Sequence, residues 1–565
     1  MGLLLCVALL LGTTLCLGQE RPEWGDVYKV KGVLHLPYAE IREPFTGYFD
    51  ASQNLSRIDY YRGMVQTIQV GPGAEEGRSE TPYGANYKIA YMPDKETWQP
   101  RRTCFLVNGT ANNTVPLQAV LPDVTSFEFV RQESCWAGTT VVDEQAERAS
   151  CERFQLSVTN EHRVSKYTLW VTRDRQGRAV PRRYLMMGYN TLLGSHFDKY
   201  ELVYHGFSRK PLPSSVFDVT HLINETCRHF PGPGAEHLAL HSPMAEFMDG
   251  HDAHMHSAFD KFKEDHSRDY GHHTEHERRR DIFRQNLRFI HSTNRANHGY
   301  TVEVNHLADR SSDELGYLRG RLQSRAPTNA LPFPKDRFSS DLPDYVDWRL
   351  YGAVTPVKDQ AVCGSCWSFG TVGELEAALF RKARRFTLFT GKLTRLSEQQ
   401  LVDCSWNQGN NGCDGGEDFR AYEYIRAHGL ATDEDYGAYL GQDGICHDTK
   451  VNATVTTIKN YINVTDKESL QKALANVGPV SVSIDAAVKA FTFYSNGVFY
   501  DPKCRNDTDG LDHAVLAVGY GTLQGEPYWL IKNSWSTYWG NDGYVLISQK
   551  DNNCGVASQG TYVEL

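Results

Sequence analysis

The chain has 565 residues, too many for one compact core, and 40% of them are hydrophobic, enough for two to four folded units. Its formal net charge of −10 offers no broad basic face, which excludes nucleic acid as a partner. After the first residues no stretch of about 20 apolar residues occurs, so no transmembrane anchor is predicted.

Met1 to Gly18 reads as a signal peptide: Leu3 to Leu17 is apolar, and compact residues precede the cut. Its removal leaves eleven of the thirteen cysteines. An oxidising compartment favours pairing them, and the odd number predicts at least one thiol outside the intrachain pairs. Glycosylation sequons stand at Asn54, Asn108, Asn112, Asn224, Asn452, Asn463 and Asn506. Together these features predict the secretory pathway, ending in the lysosome or outside the cell.

Residues 19–235 read as an antiparallel β accessory domain. Val27-Tyr-Lys-Val-Lys-Gly-Val-Leu-His-Leu alternates as a half-buried strand does, and similar runs fall at Val65–Val70, Tyr87–Tyr91, Ser165–Val171 and Tyr200–His205. Cys104, Cys135, Cys151 and Cys227 allow two bridges in three connectivities. Pro44-Phe-Thr-Gly-Tyr-Phe-Asp-Ala-Ser and Ser56-Arg-Ile-Asp-Tyr-Tyr resemble ependymin-like half-barrels, a likeness that carries no catalytic residue.

Pro231-Gly-Pro-Gly marks a linker, and residues 236–256 form a His-rich continuation of it. Histidines 237, 241, 251, 254, 256, 266, 272, 273 and 276 titrate near mildly acidic pH, which allows an acid-triggered loosening, zinc binding or a plain solvated linker. Residues 257–340 begin helical and charged and end in a proline-containing loop. Glu275, Arg279, Phe283, Asn286, Ile290 and Asn294 are spaced 4, 4, 3, 4 and 4, one face of a helix. Residues 341–565 are the length of one further domain.

Within that domain, Gln360-Ala-Val-Cys-Gly-Ser-Cys-Trp-Ser-Phe-Gly precedes apolar residues at Phe369, Val372, Leu375 and Leu379, the spacing of a helix face. Cys366 therefore sits at a helix N-terminus, where free N–H groups and the dipole favour a thiolate. Cys363-Gly-Ser-Cys366 is also a C-x-x-C, a redox or metal pattern, and the downstream residues decide between the readings. Leu511-Asp-His-Ala-Val-Leu-Ala-Val-Gly-Tyr-Gly sets His513 at the start of an apolar run. Pro527-Tyr-Trp-Leu-Ile-Lys-Asn-Ser-Trp and Trp539-Gly-Asn-Asp-Gly-Tyr follow.

With Leu342-Pro-Asp-Tyr-Val-Asp-Trp-Arg, these motifs resemble the papain-like cysteine proteases over residues 341–565. The resemblance implies an α+β fold of a helical lobe and a β-barrel-like lobe with the cleft between them. It implies that Cys366 attacks the peptide carbonyl, that His513 is its acid–base partner, and that Asn533 orients His513 under the shield of Trp535. Oxyanion donors would be the Gln360 amide and the Cys366 N–H. It pairs Cys363 with Cys413, Cys404 with Cys446 and Cys504 with Cys554, leaving Cys366 free.

For substrate, Gly415 and Gly416 match the segment that pairs with an extended peptide, and Phe419, Leu511, Ala514 and Gln559 match the pocket for the residue two before the cut. That pocket is expected to favour bulky apolar side chains while tolerating polar or basic ones. The helix face of Glu275 to Asn294 matches the family's inhibitory ERFNIN propeptide, and Phe259-Asp-Lys-Phe-Lys-Glu-Asp-His its preceding helix. Asn305 and Asp309 keep a second propeptide motif, in which Glu303 and Leu307 replace the usual Gly and Phe.

The expectation is a cysteine endopeptidase zymogen acting on peptide and protein substrates, inhibited by its own propeptide, and needing no metal or organic cofactor. Removal of the propeptide is expected near residues 335–342, and the N-terminal fragment could stay bound. No large insert separates Gly416 from His513, which favours internal cleavage. Two alternatives are a dipeptidyl peptidase capped by its N-terminal domain and a non-enzymatic binding or adhesion protein on a papain scaffold.

Overall fold

The structure is a computed structural model that describes residues 20–73, 82–93, 100–136, 149–223, 226–229, 243–248, 250, 253–324, 326–386, 393–448 and 455–565. The expected signal peptide, residues 231–234 of the linker, the sequons at Asn224 and Asn452, and His237, His241 and His251 lie outside these residues. The chain divides into two compact units, one mainly of residues before Lys261 and one mainly from Lys261 onward.

The first unit is a twelve-stranded sheet. Its strands are β1 (Val27–Leu36), β2 (Ile41–Asp50), β3 (Leu55–Tyr60), β4 (Val65–Val70), β5 (Ala85–Pro93), β6 (Pro100–Asn108), β7 (Glu128–Ser134), β8 (Ser150–Asn160), β9 (Arg163–Arg173), β10 (Ala179–Asn190), β11 (Ser195–Ser208) and β12 (Arg228–His229). The spatial order is β12-β6-β5-β4-β3-β2-β1-β11-β10-β9-β8-β7. Tyr28, Val30, Leu34 and Leu36 are buried at two-residue steps along β1, as the alternating sequence requires. Cys104–Cys227 ties β6 to the approach of β12, and Cys135–Cys151 joins the ends of β7 and β8.

The second unit holds the helix face of Glu275 to Asn294 together with the C-terminal region. Along the His273–Ala296 helix, Phe283 and Ile290 are buried. Asn286 Nδ2 donates to Ala308 O at 2.9 Å, and the Asn294 amide exchanges hydrogen bonds of 2.8 and 3.0 Å with the Val302 backbone. Arg279 bridges Glu275 and Glu314, and Glu314 also closes a capping box with Ser311. The six-residue pattern is thus a scaffold for the chain that follows it.

That chain contributes β13 (Tyr300–Val302) and β14 (Leu331–Pro332) to a ten-stranded sheet. The others are β15 (Val346–Asp347), β16 (Asn460–Val464), β17 (Val480–Ile484), β18 (Tyr494–Phe499), β19 (His513–Leu523), β20 (Glu526–Lys532), β21 (Tyr544–Ser548) and β22 (Gly560–Glu564). The order is β13-β18-β21-β20-β19-β17-β22-β16-β14, with β15 paired to β19. Edge addition of β13 to β18 docks the segment by main-chain hydrogen bonds. Glu303 N donates to Phe493 O at 2.8 Å, so the backbone makes this contact and the exposed Glu303 side chain is free to differ from the usual glycine.

Helices Cys366–Phe386, Glu398–Cys404 and Asp418–His428 form the helical part, packed through Trp367, Val372, Leu375, Leu401 and Ile425. The first also lies against the sheet: a Cβ on Gly370 would meet Ser481 Oγ at 2.7 Å, so glycine permits the approach.

Candidate active site

Cys366 is the first residue of its helix and is completely buried. The turn before it is pinned by the Cys363–Cys413 disulfide and by Gly364 N donating to Cys413 O at 2.9 Å. Cys404–Cys446 and Cys504–Cys554 are also bridged, and Cys366 is the free thiol among the described residues. The Cys366 sulfur faces the peptide groups of Ala514 and Gly320.

His513 opens β19, and β20 runs back antiparallel beside it, so Asn533, just past the end of β20, returns to His513. Asn533 Oδ1 lies 2.8 Å from His513 Nε2 and accepts from Ser534 N–H at 2.8 Å. The Ser534 bond identifies that atom as the amide oxygen, so Nε2 carries the proton. The other nitrogen, Nδ1, is then the bare lone-pair site, buried and without a hydrogen-bond partner among the described residues. Trp535 lies against the imidazole, ring centroids 4.8 Å apart, and is itself held edge-on by Phe491 and Trp539.

Gln360 is fully buried. Ser534 Oγ donates to its Oε1 at 2.7 Å, which turns Nε2 toward the cleft. There Nε2 donates to Cys363 O at 2.8 Å and to Leu318 O at 3.0 Å. Tyr439 OH donates to the Gln360 carbonyl at 2.9 Å and pairs with Ser365 Oγ at 2.6 Å.

The chain from Leu318 to Leu322 runs through this site. Gly416 N donates to Gly320 O and Leu322 N to Gly416 O, both at 2.9 Å, forming a parallel bridge between Arg321 and Gly416. A Cβ on Gly320 would sit 1.9 Å from Gly364 O, and one on Gly415 would sit 2.7 Å from Gly320 O. Both glycines are therefore needed for the close approach.

Residues 342–564 match the papain family of cysteine proteases, and residues 259–315 match the cathepsin propeptide inhibitor domain. A cathepsin L-like peptidase of Aedes aegypti is 44% identical over 317 residues, 53% of this chain and 91% of the relative. Human cathepsin L2 is 40% identical over 294 residues, 50% of this chain and 85% of the relative. The solved digestive procathepsin L2 proteinase of Tenebrio molitor is 31% identical with a TM-score of 0.50, covering 55% of this chain and all of that one.

The chain belongs to the papain family of cysteine proteases. It is a cysteine endopeptidase zymogen whose propeptide is its own inhibitor, with peptides as substrates. In this papain-family zymogen burial favours the neutral forms of Cys366 and His513. Burial pushes the Cys366 thiol up to about 11, with the Ala514 and Gly320 peptides opposing. Burial likewise lowers His513 to about 4, against the Asn533 hydrogen bond. Desolvation works against the helix N-terminus here and disfavours the thiolate expected from the helix position.

The substrate-pocket candidates separate. Leu511 and Gln559 meet the propeptide through Arg321, Ala514 faces the thiol, and Gly416 carries the backbone pairing. Phe419 stands on the Asp418–His428 helix, half-buried against the helical core beneath the Arg420 guanidinium. Sequence reasoning missed Leu318, Gly320, Ser534 and Tyr439. Ser534, between Asn533 and Trp535 in the motif, carried a detectable signal; the others depend on contacts between segments remote in sequence.

Proposed function

We propose that Cys366 is the nucleophile and His513 the acid–base catalyst of peptide-bond hydrolysis, with Asn533 and Trp535 orienting the imidazole. The carrying observation is the Asn533–His513 hydrogen bond, which takes the Nε2 proton and leaves Nδ1 bare. Once the propeptide departs, water re-enters and the Sγ proton moves to Nδ1. The thiolate then adds to the substrate carbonyl carbon, and the developing oxyanion receives the Gln360 Nε2–H and the Cys366 N–H. Collapse breaks the C–N bond as His513 gives its proton to the leaving amine. His513 next takes a proton from water, whose oxygen adds to the thioester carbonyl and releases the new carboxylic acid and Cys366.

Gly415 and Gly416 pair with the substrate backbone, and Leu511, Ala514 and Gln559 line the pocket for the side chain two before the cut, with Phe419 behind them on the helical side. The protein folds in an oxidising compartment on a secretory route; five disulfides support this, as do exposed sequons at Asn108, Asn112 and Asn506. No helix among the described residues is long and apolar enough to cross a membrane.

The test is hydrolysis of an amino-blocked peptide by Cys366→Ala and His513→Ala proteins processed with an added protease. Each is expected to lose at least about a thousandfold in kcat/KM. Retention of activity within tenfold by His513→Ala would remove the imidazole from the chemistry.

A further inference from the structure

Arg321 is the propeptide residue whose two neighbours hold the backbone of Gly416, through Gly320 O and Leu322 N. Its guanidinium donates from Nη1 to Leu511 O at 3.2 Å and from Nη2 to Gln559 Oε1 at 2.5 Å, two of the residues assigned above to the pocket for the residue two before the cut. A guanidinium only donates, so the pocket presents it with two separate acceptors, one a carbonyl fixed by the backbone and one a side-chain amide. Leu511 is buried and Gln559 half-buried, so water has restricted access to these acceptors when the pocket is filled.

We infer that the pocket for the residue two before the cut is built for arginine, with Gln559 Oε1 and the Leu511 carbonyl as its specificity-determining acceptors. This rests on the assignment of Cys366 and the cleft under Proposed function. The planar fork of arginine reaches both acceptors at once, whereas a lysine ammonium is a single point of donation. A leucine in the same place leaves both without partners, and a site built for hydrogen bonds discriminates against ligands that lack them. An apolar preference, expected from the family resemblance, is thereby reversed by one residue at the pocket floor.

The chain carries a matching cleavage sequence. Arg337-Phe338-Ser339 lies in an accessible stretch of the segment linking propeptide and protease, with Arg337 and Ser339 exposed. Cleavage after Phe338 would put Arg337 in the pocket and leave Ser339 as the new N-terminus. An apolar pocket would instead take Phe338, cut one residue later and leave Ser340.

The experiment compares processed enzyme on two amino-blocked fluorogenic dipeptides, Arg-Arg and Leu-Arg, with active sites counted by a thiol-directed epoxide. The Arg-Arg substrate is expected to match or exceed Leu-Arg in kcat/KM, and Gln559→Leu to lower the Arg-to-Leu ratio by about tenfold or more. A wild-type preference for Leu-Arg of tenfold, or an unchanged ratio in the variant, overturns the proposal. Should Gln559→Leu fail to fold, acid-induced self-processing of the pure wild-type zymogen decides by N-terminal sequencing: Ser339 supports the proposal and Ser340 overturns it. An enzyme that takes the epoxide and cleaves only Leu-Arg refutes the pocket alone, whereas one that takes no epoxide refutes the Cys366 assignment itself.

Discussion

The Leu318 carbonyl accepts a 3.0 Å hydrogen bond from Gln360 Nε2, so a propeptide peptide group engages the donor assigned to the substrate oxyanion. Under the proposed assignment, latency combines occupation of the cleft with burial that favours neutral Cys366 and His513. The inhibitor reaches this position only because Gly320 lies flat on Gly364.

Gly320→Ala is expected to lift the propeptide from the cleft, since the added Cβ would meet Gly364 O at 1.9 Å, a backbone atom that cannot yield. Self-processing of the variant at neutral pH should be faster than wild type by roughly tenfold, a change of about 1.4 kcal/mol in propeptide docking. Time courses on denaturing gels measure it.

Acid should release the inhibitor in part through His306. Burial lowers His306 from 6.5 to about 4, and the facing His266, Arg268 and Arg310 push the same way. Its ring neighbours Tyr538, with centroids 6.1 Å apart. The closed form holds this imidazole neutral while the released form protonates near its ordinary value. Stability of the closed form is thus full above about pH 6.5 and is lost as pH falls toward 4. His306→Gln should shift the midpoint of self-processing to lower pH by roughly half a unit or more. Substituting the described histidines of the linker, His254, His256, His272 and His273, is expected to leave the midpoint in place.

The protease should weaken toward alkaline pH because of Glu374. Its Oε1 accepts from Val563 N at 3.1 Å, its Oε2 is buried without a partner among the described residues, and burial raises it to about 8. The folded protein keeps the proton that the unfolded chain releases near 4.5, so this stability is present below 4.5 and lost as pH rises through 8. Glu374→Gln should raise the melting temperature at pH 7.5 by roughly 4 °C or more and leave it nearly unchanged at pH 4.5.

Processing should leave no covalent tether. Cys104–Cys227 and Cys135–Cys151 close within the N-terminal unit, the other three bridges close within the protease, and Cys366 is free. After cleavage between residues 335 and 342, the fragments are expected to separate on a denaturing gel run without reductant. A band that needs reductant to split would mean an unforeseen intermolecular bridge.

Local patterns made much of this legible in the sequence. The spacing of Phe283, Asn286 and Ile290 foretold a helix with one working face, and the residues from Gln360 to Asn533 marked a papain-like fold. The N-terminal bridges were open among three pairings because spacing does not encode which strands become neighbours. The Arg321–Gln559 contact spans 238 residues and depends on how the propeptide threads the cleft, a tertiary fact with no periodicity to announce it. Thiolate stabilisation at a helix start is a sound local argument, but the burial of Cys366 is a tertiary fact that opposes it.

One thiol, masked by the propeptide, is expected to become the nucleophile when the propeptide leaves. Mass spectrometry after exposure to a thiol-directed epoxide reads this out at the level of the single residue. A single adduct is expected on Cys366 in the acid-processed protein and none in the intact zymogen at neutral pH. An adduct elsewhere, or equal labelling before and after processing, would contradict it.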